Sequence, residues 1–309
     1  MNIIILGAGA MGSLFGGLLS ESHPQWQVTL ADVWRDHVEA INEKGLELND
    51  EDGLRSIKVT AGFPSALKQA AEAILVFTKA QHTESALEEA KAAIGPETRL
   101  ISLQNGLGAK ERLNKFAPLN RIIIGMTTYT SDFLAPGRIS SHGGGVSRLM
   151  AASGDPEDLF LTAIARALSE AGLNGIVDPE VEKQIWKKVG FNSAFNSLCA
   201  ITRLDCGQLG STMAGRELLF GVAHECAAVG RARGVELSGK EIVDLLQESL
   251  SRHARHQPSM LQDILAGRPT EIEALNGAII RLGREERIPT PINDMAYKLI
   301  LTISGAVKT

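Results

Sequence analysis

The first twelve residues, MNIIILGAGAMG (Met1–Gly12), decide how this chain is read. Asn2–Leu6 is a short, β-branched apolar run that predicts a strand, and Ala10–Ser22 is a Gly/Leu-rich stretch that predicts a helix. Between them Gly7, Gly9 and Gly12 form a GxGxxG. The first glycine permits a tight turn, the second lets the backbone approach a pyrophosphate, and the third lets the helix pack on the strand. The start of the helix then offers free N–H groups and a positive dipole end to phosphates. The motif predicts dinucleotide contacts from Gly7, Ala8, Gly9, Ala10, Met11 and Gly12. A lone GxGxxG can also be a mere packing turn. The strand–turn–helix context and the alternation that follows argue for the dinucleotide.

Val28–Asp32 predicts a second strand and Asp36–Lys44 a helix capped by Gly45. Leu46–Leu48 and Ile57–Val59 flank NDEDG and predict an inserted hairpin. Ala73–Thr78 predicts a strand, Gln81–Ile94 a helix stopped by Gly95-Pro96, and Arg99–Leu103 and Arg121–Gly125 further strands. Strand-like stretches at Arg138–His142 and Arg148–Ala152 precede a helix from Pro156 to Glu170 and a last strand, Gly175–Val177. Such alternation implies a parallel sheet with helices on both faces. After Asp178-Pro179 the pattern is helical to Thr309. The expected fold is therefore an α/β doubly wound sheet over residues 1–178, followed by an all-α domain over 179–309.

Bulk properties narrow the function. The 309 residues are 44% hydrophobic and 22% charged, a soluble globular balance without the marks of disorder. A formal net charge of −5 with no Lys/Arg-dense stripe argues against nucleic acid as partner, so an anionic substrate has to be met by a local basic group. No apolar stretch reaches the roughly 20 residues of a membrane helix, and the start lacks a secretory pattern. Cys199, Cys206 and Cys226 are an odd count without a CxxC, which fits reduced thiols in the cytoplasm. His253 and His256 form an HxxH, but His23, His37, His82, His142 and His224 are scattered without supporting ligand motifs. No metal site is expected.

Cofactor discrimination should lie after the second strand. Asp32 falls 20 residues past Gly12, close to the spacing of a carboxylate that binds a ribose 2′-hydroxyl and repels a 2′-phosphate, which argues for NADH. Arg35 could instead reach over the phosphate and favour NADPH.

Lys188, Asn192 and Asn196, in WKKVGFNSAFN, recur at i, i+4 and i+8, which places an ammonium and two carboxamides along one helix face. A cation there can stabilise and protonate an alkoxide formed by hydride addition, and the amides can orient a substrate. Lys and Asn at this spacing usually form a solvated face. Here Trp186, Val189, Phe191, Phe195 and Leu198 surround the stripe, so the helix is expected to be buried and the polar groups to line a site. Downstream, Ser259 is expected before a helix and Glu271 in the next one; capping roles account for both on local evidence alone.

Taken together, GAGAMG, TKA at 78–80, QNGLG at 104–108, K-x3-N-x3-N at 188–196 and SMLQD-x7-TEIE at 259–273 resemble the ketopantoate reductase family across nearly the whole chain. The resemblance implies an N-terminal Rossmann domain and a helical C-terminal domain with the active site between them. It implies a catalytic role for Lys188, with Glu271 near substrate and cofactor, and substrate contacts from Asn105, Asn192, Asn196 and Ser259. Lys79 matches a cofactor contact, and Asn105 and Glu271 are expected to touch the cofactor as well. NADP(H) is the cofactor by resemblance, against which Asp32 argues for NAD(H). The expected partner is a small 2-keto acid, with no nucleic acid or membrane, and a homodimer is carried as one expectation for the assembly. His256-Gln257-Pro258 stands where some members place a further substrate-binding Asn.

Two other functions stay open at this point. One is a D-2-hydroxy acid dehydrogenase of the D-mandelate type on the same scaffold, which Asp32 favours. The other is a dinucleotide-sensing protein without catalysis, against which Lys188 and Glu271 together argue.

Overall fold

A computed structural model describes residues 1–252 and 254–306. The chain divides into two units. The first comprises residues 1–104 and 109–181; the second comprises residues 105–108 and 182–309. His253 of the HxxH lies outside the described residues.

In chain order the first unit contains β1 (Asn2–Leu6), α1 (Ala10–Ser22), β2 (Gln27–Ala31), α2 (Arg35–Lys44), β3 (Leu46–Asp50), β4 (Gly53–Ile57), β5 (Thr60–Gly62), β6 (Ala73–Val76), α3 (Thr83–Glu89), β7 (Arg99–Ser102), α4 (Ala109–Leu113), β8 (Ile122–Thr127), β9 (Ser131–Ala135), β10 (Arg138–Ser141), β11 (Ser147–Ala151), α5 (Leu159–Glu170) and β12 (Gly175–Val177). Its main sheet has the order β12-β11-β8-β7-β6-β1-β2-β5. Every neighbouring pair is parallel except β11 with β8. Ile3, Ile4, Ile5 and Leu6 are all buried, as are Ala73–Val76, because central parallel strands are covered on both faces. Reading β5-β2-β1-β6-β7-β8 as strands three, two, one, four, five and six gives the dinucleotide-fold order, whose reversal of direction lies between β1 and β6.

The structure corrects several expectations. The hairpin expected within the repeat is β3–β4, and it belongs to a separate four-stranded sheet, β4-β3-β10-β9. Leu46, Leu48, Ile57 and Ile139 of that sheet join the same core as Leu14, Phe15 and Leu19 of α1, which explains why the segment leaves the main sheet. The helix expected over 81–94 is broken into a 3-10 turn, the seven-residue α3, and a second 3-10 turn at Lys91–Ala93. The tighter turn lets the Ala93 carbonyl accept the Ala71 N–H at 2.9 Å while Ala90 and Ala93 are fully buried. The helix expected from Pro156 starts at Leu159, where Asp158 caps the N–H groups of Phe160 and Leu161.

The second unit is helical: α6 (Val181–Thr202), α7 (Cys206–Gly210), α8 (Met213–Ala232), α9 (Gly239–Arg252), α10 (Ser259–Leu265), α11 (Asn276–Glu285) and α12 (Pro291–Ala306). Trp186, Val189, Phe195, Leu219, Ile242, Leu246, Ile279 and Ile300 share its core with Leu107. Local signals start the helices: Asp205 and Gln208 form a capping box ahead of α7, and the Thr212 hydroxyl takes the Gly215 N–H ahead of α8. No described helix is long and apolar enough to cross a membrane.

Candidate active site

In the first unit, the ends of β1, β2 and β6 gather the groups read from the sequence. Gly7 follows β1 with φ +93, and a Cβ there would stand 2.6 Å from the Thr78 nitrogen, so only glycine fits beside the end of β6. A Cβ on Gly12 would come within 2.0 Å of the Gly7 carbonyl oxygen, which is how α1 sits against the turn. Gly9, the N-cap of α1, is different: a Cβ there would meet nothing within 4 Å. Among the described residues its N–H has no backbone or side-chain acceptor. Open space over unengaged amides at a helix start fits a bound pyrophosphate.

Asp32 directly follows β2, is half-buried, and accepts the Trp34 N–H on Oδ1 at 2.9 Å. This Asx-type contact holds the carboxylate at the strand end. Arg35 begins α2 and is engaged away from that carboxylate: its guanidinium lies 5.4 Å from the Phe63 ring centroid and 3.6 Å from Glu39. Lys79 is half-buried and caps the 3-10 turn Ala80–His82 immediately after Thr78.

Sequence reasoning missed two residues here. Gln104 donates to Thr83 Oγ1 at 2.8 Å and to the Thr78 carbonyl, which ties the TKA segment to the end of β7. His37 is buried on α2, with Nε2 2.8 Å from the Ala8 carbonyl and Nδ1 2.9 Å from the Gly137 nitrogen. No spacing rule links His37 to partners 29 and 100 residues away.

In the second unit, α6 runs unbroken for 22 residues, so Lys188, Asn192 and Asn196 do share one face, about 12 Å from first to last at 1.5 Å per residue. Trp186, Val189, Phe195 and Leu198 around them are buried, whereas Lys188 and Asn192 are half-buried and Asn196 is 7% exposed. Among the described residues the carboxamides of Asn192 and Asn196 have no hydrogen-bond partner. Polar groups in such a setting are paid for by a ligand or by water. Burial pushes the Lys188 ammonium down to about 8, and the nearby Glu271 carboxylate opposes that fall.

The sequence places Glu271 in a helix, and the structure does not. Glu271 opens the turn 271–275, and α11 starts at Asn276. The turn is shaped by the glycine-rich segment 105–108, which belongs to this unit: Leu107 N–H bonds the Ala274 carbonyl at 3.1 Å. Gly106, at φ +95, lies so close that a Cβ would be 2.5 Å from that same oxygen. Asn105, half-buried, is thereby brought beside the Glu271 turn. Ser259 is the first residue of α10, with Pro258 as N-cap; it is exposed, and among the described residues it makes no hydrogen bond to Lys188 or Glu271. No cluster of three or more His, Cys, Asp or Glu side chains arranged for a metal occurs among the described residues.

Comparison with known proteins gives the same pattern over the whole chain. Residues 3–153 match the family model described as ketopantoate reductase PanE/ApbA, and residues 180–304 match its C-terminal counterpart. A 2-dehydropantoate 2-reductase of Streptococcus pyogenes is 35% identical over 302 residues, covering 97% of each chain. One from Lactococcus lactis is 33% identical over 306 residues, again at 97% of each chain. Among solved structures, a ternary complex of D-mandelate dehydrogenase with NADH and anilino(oxo)acetate matches all of both chains at a TM-score of 0.93 and 32% identity.

Proposed function

The chain belongs to the ketopantoate reductase family, and from that premise we propose that it is a 2-dehydropantoate 2-reductase, reducing ketopantoate to pantoate with a nicotinamide dinucleotide. The observation that carries this reading is the half-buried Lys188, whose lowered pKa is opposed by Glu271, at the head of a stripe whose two carboxamides have no hydrogen-bond partner among the described residues.

Within the first unit the dinucleotide would be held by the Gly7–Gly12 turn, by Asp32 at the ribose and by Lys79; the family resemblance adds Asn105 and Glu271 as cofactor contacts. When bound, it supplies the hydride that adds to the keto carbon. Lys188 hydrogen-bonds the keto oxygen, stabilises the negative charge developing there and delivers the proton that completes the alcohol. With its ammonium pushed down to about 8, Lys188 is a far better acid near neutral pH than an ordinary lysine while staying largely protonated. Glu271 keeps that proton in place before the reaction. Asn192, Asn196 and Ser259 orient the acid substrate through hydrogen bonds that both donate and accept.

For the cofactor we favour NADH. A carboxylate at Asp32, held at the end of β2 by the Trp34 N–H, would repel a 2′-phosphate there, and Arg35 lies against Glu39 and Phe63. The buried free thiols Cys199, Cys206 and Cys226 suit the reducing cytoplasm.

A second reading, reduction of aromatic 2-keto acids, is favoured by Asp32 together with the likeness to the NADH-bound D-mandelate dehydrogenase. Pocket shape, not fold, separates these substrates. Steady-state oxidation of NADH and NADPH with ketopantoate and with benzoylformate tests both. Turnover of ketopantoate supports the first reading, turnover of benzoylformate alone replaces it with the second, and turnover of neither overturns both.

A further inference from the structure

We propose that His37 is the positioning residue of the dinucleotide loop, acting through the Ala8–Gly9 peptide; the inference rests on the dinucleotide reading above. His37 is 1% exposed and makes contacts on both ring nitrogens. The Gly137 N–H donates to Nδ1 at 2.9 Å, so Nδ1 is the unprotonated nitrogen and Nε2 carries the hydrogen. That hydrogen goes to the Ala8 carbonyl at 2.8 Å, with the Ser13 oxygen 3.2 Å away. The Ser13 hydroxyl donates to the same carbonyl at 2.7 Å. The Ala8 oxygen is thus held toward the protein interior by two donors.

Across a trans peptide the carbonyl and the following N–H point in opposite directions. Fixing the Ala8 oxygen inward therefore aims the Gly9 N–H away from the interior, on a residue at which an added Cβ would also meet nothing within 4 Å. Without the imidazole donor the Ala8 carbonyl keeps only the Ser13 hydroxyl, and the peptide plane that presets the Gly9 amide is held less firmly.

The surroundings suit a neutral, fixed ring. Trp34 and Phe133 flank it at centroid distances of 6.0 and 5.1 Å. Burial lowers the His37 pKa, with the Ala8 hydrogen bond and the Asp32 charge opposing. The far end of the clamp, Gly137, lies in the turn between β9 and β10, so the small second sheet acquires a purpose: it backs the nucleotide loop.

Two substitutions separate the two ends of the imidazole. His37→Gln can place an amide N–H near the Nε2 position and keep the Ala8 contact, whereas His37→Asn can reach only the Gly137 side. His37→Leu keeps bulk and no polar contact. The measurement is NADH and NADPH binding by fluorescence titration without keto acid, with thermal unfolding of each variant alongside. We expect His37→Gln to bind within about threefold of wild type, and His37→Asn and His37→Leu to bind about tenfold more weakly, the loss of one buried hydrogen bond. Affinity that follows Tm rather than the Ala8-side contact, or equal binding by the Gln and Asn variants, overturns the proposal. Wild-type protein that binds neither dinucleotide instead overturns the dinucleotide reading itself.

Discussion

Lys188 on α6 and Glu271 in the turn before α11 lie within electrostatic reach, and they act on one proton in opposite senses to the burial around them. Desolvation drives Lys188 from its ordinary value of 10.5 down to about 8, and the Glu271 carboxylate holds it from falling further. The pair therefore sets how much of the acid form is available at a given pH. It is assembled from segments 83 residues apart by a turn that depends on Leu107 docking against Ala274.

This fixes the sign of a pH effect. Keto-acid reduction needs protonated Lys188, so kcat/KM should fall as pH rises through about 8. Removing the carboxylate in Glu271→Gln removes the influence that raises the pKa, and the limb should move to lower pH. The pH profile of kcat/KM for the keto acid reads this directly; a limb that stays or moves upward in the variant would separate Glu271 from the Lys188 proton. Lys188→Ala should lower kcat by about 10²–10⁴-fold.

The carboxamides of Asn192 and Asn196, without a hydrogen-bond partner among the described residues, give a second expectation. Truncating Asn192 or Asn196 to Ala should raise KM for the keto acid and lower kcat/KM by about 10- to 100-fold, the range for hydrogen bonds made to a charged substrate. Dinucleotide affinity measured without substrate should stay at the wild-type level. Loss of dinucleotide binding in either variant would move these residues to a different role.

Asp32 is testable by preference rather than by rate. Asp32→Ala removes the charge that opposes a 2′-phosphate, so the ratio of kcat/KM for NADH over NADPH should fall by about tenfold or more, near 1.4 kcal/mol. If the ratio is unchanged, the carboxylate held by Trp34 does not face the ribose. Glu39→Ala, which frees Arg35 from its ion pair, should shift the ratio in the same direction by a smaller amount because both groups are exposed.

What the sequence revealed follows the range of the forces involved. β1 and β6 were legible because a strand buried on both faces must be continuously apolar, and the α6 stripe because helical spacing is local. The 81–94 helix was misread because Ala and Glu favour helix locally, whereas the break there exposes the Ala93 carbonyl to Ala71, 22 residues earlier. Glu271 was placed in a helix because nothing nearby reports the docking of Gly106 and Leu107 that shapes its turn. β5, a three-residue edge strand, and β9, with its mixed burial, carry too little periodicity to be seen. His37 looked like one scattered histidine among several, since both its partners are distant in sequence.

The glycine loop offers the sharpest separation of stability from binding. A methyl group on Gly12 would stand 2.0 Å from the Gly7 carbonyl oxygen, so Gly12→Ala must displace backbone and should cost about 1–3 kcal/mol, read as a lowered Tm. On Gly9 the same methyl meets no protein atom, and the backbone there, at φ −62 and ψ −169, is extended and open to alanine. Gly9→Ala should therefore unfold within about 0.5 kcal/mol of wild type. Its methyl would occupy the space through which a pyrophosphate reaches the Gly9 N–H, so dinucleotide affinity should fall by about tenfold or more. Calorimetry of the two variants beside NADH titration distinguishes the cases. A Gly9→Ala protein that keeps both its Tm and its affinity would mean that no phosphate approaches this amide, and the loop would then be only a packing turn.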